Sequence, residues 1–199
     1  DYPRSVLDFV DPGYHPETGA IAYPVFGTTA THAGALYVAL GDQVAGEYFA
    51  DLAASGVRVV DGNSVVRDLV ADGQVAYGLT DTDDACAAVS DGAKVELVFP
   101  DQEPGGLGTL VIPNTVGVVA GGPNPELARQ LVDFLLSPDV TADLVEAGWF
   151  HVPSRKVDAI PPCIDTSQVR AMEVSLEDVG ARIESVKGEM TRLFVRERQ

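Results

Sequence analysis

The chain reads as an α/β protein on a mixed, mostly parallel sheet, and three observations predict this. Short apolar runs alternate with longer helix-patterned stretches. Glycine ends the helix-patterned stretches, and Asp, Asn or Ser opens several of them. No internal repeat or low-complexity segment interrupts the alternation, which is the pattern of a parallel-rich sheet covered on both faces.

Taken in order, Ser5 to Val10 is a short helix closed by Asp11-Pro12-Gly13. Ala20 to Tyr23 is a strand. Thr29 to Leu40 is an Ala-rich helix stopped by Gly41, and Asp42 opens a second that ends near Ser55. Val57 to Val60 is a strand, Asn63 to Asp72 a helix, Val75 to Leu79 a strand, Asp83 to Ser90 a helix and Val95 to Phe99 a strand. Pro100 to Gly108 changes texture and reads as a loop or crossover. Thr109 to Ile112 and Val116 to Val119 are then strands. Asn124-Pro125-Glu126 opens a helix to Leu136, whose Leu127, Leu131, Phe134 and Leu135 suit one buried face. Ser137-Pro138-Asp139 opens another to about Glu146. Ser167 to Arg196 is helical, with a break near Gly180 or Gly188.

Composition narrows the function. The 199 residues can bury a core, and the formal net charge of -17 argues against nucleic acid without a basic stripe, which is absent. The late basic residues Arg192, Arg196 and Arg198 interleave with Glu189 and Glu197 as a solvated face. No apolar run approaches a membrane span of roughly 18–20 residues. The start, Asp1-Tyr2-Pro3-Arg4, has neither the basic nor the apolar region of a signal peptide. Cys86 and Cys163 lack metal-site spacing; two buried thiols are the favoured state, with a single bridge open in an oxidising compartment. Nucleophile elbow, phosphate-binding loop and dinucleotide fingerprint are absent, and Cys86 follows an acidic cluster that makes its thiol a poor nucleophile.

Two regions could hold a ligand. At Gly27-Thr28-Thr29 a glycine permits close approach, hydroxyls donate, and the following helix offers free N–H groups to an anion. Asn63-Ser64 opens another helix in the same way, although capping alone also explains it. Asp81-Thr82-Asp83-Asp84 sets three carboxylates together, which repel unless a helix N-terminus, a metal ion or an organic cation compensates. His32, one turn into its helix, reads as a helix-surface residue and Tyr77 as core. Trp149 and His151 read as packing residues that could also edge a cleft.

Three stretches carry a family resemblance: Tyr23-Pro24-Val25-Phe26-Gly27-Thr28-Thr29, Gly73 through Ala85, and Gly121-Gly122-Pro123-Asn124-Pro125-Glu126-Leu127-Ala128 through Asp133-Phe134-Leu135-Leu136-Ser137-Pro138. Gly148-Trp149-Phe150-His151-Val152-Pro153 adds to it. Together they resemble the ferric-iron-type solute-binding proteins of bacterial ABC importers, which have the class II periplasmic-binding fold. The resemblance implies a non-enzymatic receptor in the periplasm or outside the cell that closes on its ligand by hinge motion and docks on a membrane permease. Residues 1–104 would form the second, α/β lobe. Residues 105–199 would be the helix-rich return of the first lobe, whose opening segment is absent, so that self-association would cover the exposed face. The resemblance puts Fe(III) or another metal ion, with a small anion at Gly27, Thr28 and Thr29, in the cleft. The family's two adjacent iron-binding tyrosines correspond to Asp83 and Asp84, so the ligand is equally open to a cationic organic solute. A sensory domain on the same fold and a metal-dependent phosphoesterase using the Asp cluster are the other classes weighed.

Overall fold

The computed structural model describes residues 2–149, 152, 163 and 169–195. Its centre is strand β1 (Gly19–Ala22), buried along its whole length. The chain continues through α1 (Gly27–Leu40), α2 (Asp42–Ala54), β2 (Arg58–Val60), α3 (Asn63–Ala71), β3 (Tyr77–Leu79) and α4 (Thr82–Ser90). Helices α5 (Pro125–Leu135), α6 (Pro138–Glu146) and α7 (Leu176–Phe194) follow. The three strands are parallel in the order β2-β1-β3, with Ile21 opposite Val59 and Ala20 opposite Gly78.

Alternation along β1 separates two cores. Ile21 joins the larger one, with Val6, Phe9, Leu36, Phe49, Leu52, Val186 and Met190 from the N-terminal turn, α1, α2 and α7. Ala20 and Ala22 join the smaller one with Val66 and Leu69 of α3 and Val75. Two glycines set the packing distances. A Cβ on Gly34 would come within 3.1 Å of Val179, where α1 meets α7, and one on Gly78 within 2.4 Å of Val66, where α3 crosses β3.

A buried aspartate ties the start of the chain to its later segments. Asp101, 4% exposed, accepts hydrogen bonds from the Ser5 hydroxyl at 2.6 Å and the Val6 amide at 3.1 Å. Its amide donates to the Arg4 carbonyl at 2.7 Å, and its own carbonyl accepts from Gly108 N at 3.1 Å and an Arg170 guanidinium nitrogen at 2.7 Å. Asp101 holds a left-handed backbone at φ 62°, a conformation that Asp tolerates better than most residues. His32 of α1 is partly buried rather than a surface residue. Desolvation lowers its pKa to about 4, with the Asp101 charge pulling the other way.

Several expectations are corrected. Ser5 to Val10 is a 3-10 turn, Val6–Val10, not an α-helix. Val95 to Phe99, Thr109 to Ile112 and Val116 to Val119 form no ladder among the described residues; the single trace is a bridge of Thr109 to Ala171. A strand exists only with a partner, and among the described residues these segments have none beyond that bridge. The last helix is unbroken through Gly180 and Gly188 and starts at Leu176. An interior glycine costs a helix only about 1 kcal/mol, which the buried Val179, Val186, Met190 and Phe194 outweigh. Leu127, Leu131, Phe134 and Leu135 of α5 are exposed, because their periodicity marks an apolar face without supplying its cover. Cys86 and Cys163 are not thiols but a disulfide, with Cα atoms 5.7 Å apart. A bridge spanning so long a loop contributes typically about 2–4 kcal/mol. Ser167, His151, Arg196, Glu197 and Arg198 lie outside the described residues.

Two predictions follow from this packing. Gly78→Ala forces a methyl into Val66 and is expected to cost about 1–3 kcal/mol in urea unfolding, with Val66→Ala in the same chain recovering part of the loss. The His32 pKa is lowered on folding, so its contribution is present above about pH 6.5 and is lost as pH falls toward 4. His32→Gln is therefore expected to flatten the stability profile across that window by no more than about 3 kcal/mol, measured by denaturant melts at pH 7 and pH 4.5.

Candidate functional site

The parallel strands all end on one edge of the sheet, and each is followed by a helix that starts there. This is the edge at which open α/β sheets bind ligands. None of the three helices α1, α3 and α4 has a side-chain N-cap hydrogen bond, and α2 and α5 lack one as well. Elsewhere Ser137 and Ser175 cap α6 and α7 in the ordinary way. Phe26 and Gly62, at the N-cap positions of α1 and α3, have no polar side chain to offer. Asp81 has one but turns it away from its own helix.

The Asp81 carboxylate instead ties the three helix starts together. Its Oδ2 accepts from Asn63 Nδ2 at 2.6 Å and from the Thr28 hydroxyl at 3.1 Å. Asn63 Nδ2 also reaches Thr28 Oγ1 at 2.8 Å, and the Thr29 hydroxyl donates to Asn63 Oδ1 at 3.3 Å. Thr80 Oγ1 donates to the Asn63 carbonyl at 3.1 Å, locking β3 to the start of α3. All of these residues are partly buried. The first-turn N–H groups of α1, α3 and α4 thus surround a polar knot, and the helix dipoles bias the place toward negative charge.

The rest of the acidic cluster divides. Asp84 pairs with Arg67 at 3.2 Å. Its pKa is raised, chiefly by burial and then by the neighbouring Asp83, with Arg67 opposing. Asp83 lines the adjoining cavity of about 700 Å³, as do Thr28 and Asp81. Among the described residues no group of three or more His, Cys, Asp or Glu side chains is placed to hold a metal ion.

Sequence-expected residues therefore converge in part. Thr28, Thr29, Asn63 and Asp81 form one network, and Gly27, at φ 52°, opens α1 with no neighbour where a Cβ would stand. Ser64 is exposed on α3 and outside the network. Asp83 and Asp84 stand beside it rather than in it. Three participants were not anticipated: Arg67, one turn along α3 from Asn63, Thr80, and Phe26, which is 70% exposed next to Gly27. The signal for Arg67 was its place one helical turn after a helix start that faces an acidic cluster. Trp149 is exposed.

The comparisons agree on the class. The sequence pattern of the bacterial extracellular solute-binding protein family matches residues 5–162, and the chain belongs to that family. Its members bind solutes and are not enzymes. A periplasmic protein of Salmonella typhimurium, named as a 2-aminoethylphosphonate binder, is 27% identical over 102 residues, 51% of this chain and 30% of that protein. Iron-bound HitA from Pseudomonas aeruginosa superposes with a TM-score of 0.79 at 19% identity, over 96% of this chain and 62% of that one. The ferric binding protein from Campylobacter jejuni gives 0.79 at 13% identity with the same coverage, 96% and 62%. FutA2 from Synechocystis gives 0.72 at 16% identity, over 98% and 64%. The fold is that of the class II periplasmic-binding proteins, and the chain spans less than two thirds of the length of these solved relatives.

Proposed function

We propose that this chain belongs to the solute receptor of an ABC-type importer, working in the periplasm or outside the cell and delivering its ligand to a membrane permease. Residues 1–104, with α7 packed into their core, are the lobe that grips the ligand, and the stretch that carries α5 and α6 is the return segment of the other lobe. The observation that carries the reading is the convergence of three helix starts without side-chain caps on the knot of Thr28, Asn63 and Asp81.

The ligand class we favour is a small zwitterion with a phosphonate-like head and an amine. Free N–H groups and the hydroxyls of Thr28 and Thr29 suit the anionic head. A bare anion would also meet Asp81, Asp83 and Asp84, offset only by Arg67 and the dipoles, in a chain of net charge -17. An ammonium on the same ligand turns those carboxylates from a penalty into partners. The Salmonella relative is named for a solute of this class. Fe(III) with a small anion, held by Asp81, Asp83 and Asp84, is the second reading, favoured by the iron-bound neighbour. Against it, Asp84 is engaged by Arg67 and Asp81 by Thr28 and Asn63.

Isothermal titration separates the readings. Binding of 2-aminoethylphosphonate is expected, at least tenfold weaker in Asp81→Asn, with inorganic phosphate bound poorly by both proteins. Heat from Fe(III) with phosphate or bicarbonate, abolished by Asp83→Ala/Asp84→Ala, would transfer the site to iron. The apolar face of α5, with Leu131 56% and Phe134 62% exposed, is expected to drive self-association of the isolated chain. Sedimentation velocity should show mass rising with concentration, and Leu131→Lys/Phe134→Lys should hold the chain monomeric.

A further inference from the structure

Helix α4 carries Asp81 at its start and so places the carboxylate on which the ligand knot turns. Its own packing is thin. Its apolar residues are alanine, cysteine and one valine, and only Cys86 and Ala88 are buried. It lies beside α3. Yet among the described residues no side chain of α4 belongs to either core, whereas α1 supplies Leu36 and α3 supplies Val66 and Leu69. A helix this short is not stable by itself in water, so its place depends on what it is tied to.

Hydrogen bonds, an ion pair and a disulfide tie α4 to the rest of the chain. Asp81 accepts from Asn63 and Thr28 at 2.6 and 3.1 Å. Asp84 meets Arg67 at 3.2 Å. Cys86 is bonded to Cys163. The first two ties stand at the ligand corner, are partly open to water, and use groups that a ligand would itself engage. The third stands past the first turn of the helix, is covalent, and starts from a fully buried residue, Cys86. Cys163 lies between α6 and α7, on a segment that is held in turn. There Arg170 N donates to Gln102 Oε1 at 2.6 Å, and its guanidinium donates to the Asp101 and Gly106 carbonyls at 2.7 and 2.9 Å.

We infer that the Cys86–Cys163 bridge is the clamp that holds the ligand corner in register, so that the affinity for ligand depends on the redox state of this pair. A donor–acceptor separation beyond about 3.2 Å leaves the usual hydrogen-bond range, so a small shift of α4 releases Asp81 from Asn63 and Thr28. Both cysteines act through Asp81 and are positioning residues. A dithiol opens the clamp. One of its thiolates attacks the sulfur of Cys163, which is partly exposed, and forms a mixed disulfide. Cys86 leaves with the electron pair and takes a proton. The second thiol of the reductant then displaces Cys163, which also ends as a thiol, and the reductant closes into its own cyclic disulfide. The dependence of affinity rests on the reading of the knot as the ligand corner, whereas the hold on α4 does not.

Calorimetric titration with 2-aminoethylphosphonate and amide hydrogen exchange test it on three forms: the oxidised chain, the chain reduced with dithiothreitol, and Cys86→Ala/Cys163→Ala. Both forms without the bridge are expected to bind at least fivefold more weakly. Their α4 amides are expected to exchange at least tenfold faster, while those of β1 and α2 stay unchanged. Reoxidation of the reduced chain restores both properties. Unchanged exchange of α4 on reduction overturns the inference, and so does equal affinity in all three forms. An equal acceleration across α4, β1 and α2 also overturns it, because the bridge would then support the whole fold without a particular hold on the corner. If α4 alone loosens but the oxidised chain gives no heat with 2-aminoethylphosphonate, the hold on the corner stands and the ligand reading fails.

Discussion

The structure depends on the burial of one four-residue strand. β1 has a partner on each side and is enclosed on both faces, so all of its backbone groups must be paired and all of its side chains covered. Covering one face recruits α1, α2 and α7; covering the other recruits α3. Parallel pairing then requires each connection to return to the same end, which leaves every strand-to-helix corner on a single edge. The site is a consequence of that requirement. Thr28, Asn63 and Asp81 are far apart in sequence, and β1, β2 and β3 deliver them to one place.

The electrostatics of the edge follow from what the corners do not do. A helix start normally satisfies its free N–H groups with its own Ser, Thr, Asn or Asp. Here Asp81 occupies the capping position and directs its carboxylate across the gap to Asn63 and Thr28 instead. The exchange gives up local helix stability, about 1 kcal/mol for a typical cap, for a cross-link between three corners. It also leaves first-turn N–H groups available. A ligand that satisfies them recovers part of that loss, which couples binding to the order of the corner.

Much of this was legible in the sequence where local chemistry decides. The glycine stops at Gly41, Gly56 and Gly73 and the start at Asn63 placed helices and strands of the first hundred residues close to where they lie. The acidic run at Asp81 announced a corner that something must compensate. What escaped was decided by distant contacts. Val95 to Phe99 has strand residues and strand exposure, but a strand is a property of two segments. The Leu127, Leu131 and Phe134 stripe reports amphipathicity, which is local, and not burial, which depends on what arrives from elsewhere. The Cys86–Cys163 bridge needs two Cα atoms brought within reach across a long separation, and spacing alone says nothing of that. The exposed Phe26 and the Arg67 partner of Asp84 escaped for a related reason: their roles exist only after α1, α3 and α4 have been set side by side.

The exposed face of α5 and the corner at Asp81 make different demands on what meets them. The face of α5 presents apolar side chains, so any apolar surface of adequate size relieves it and no register is imposed. The Asp81 carboxylate is held by Asn63 and Thr28 at hydrogen-bond distance, so a group that displaces either must supply a donor in the same place. The first demand is met by hydrophobicity alone, whereas the second selects for donors of defined position.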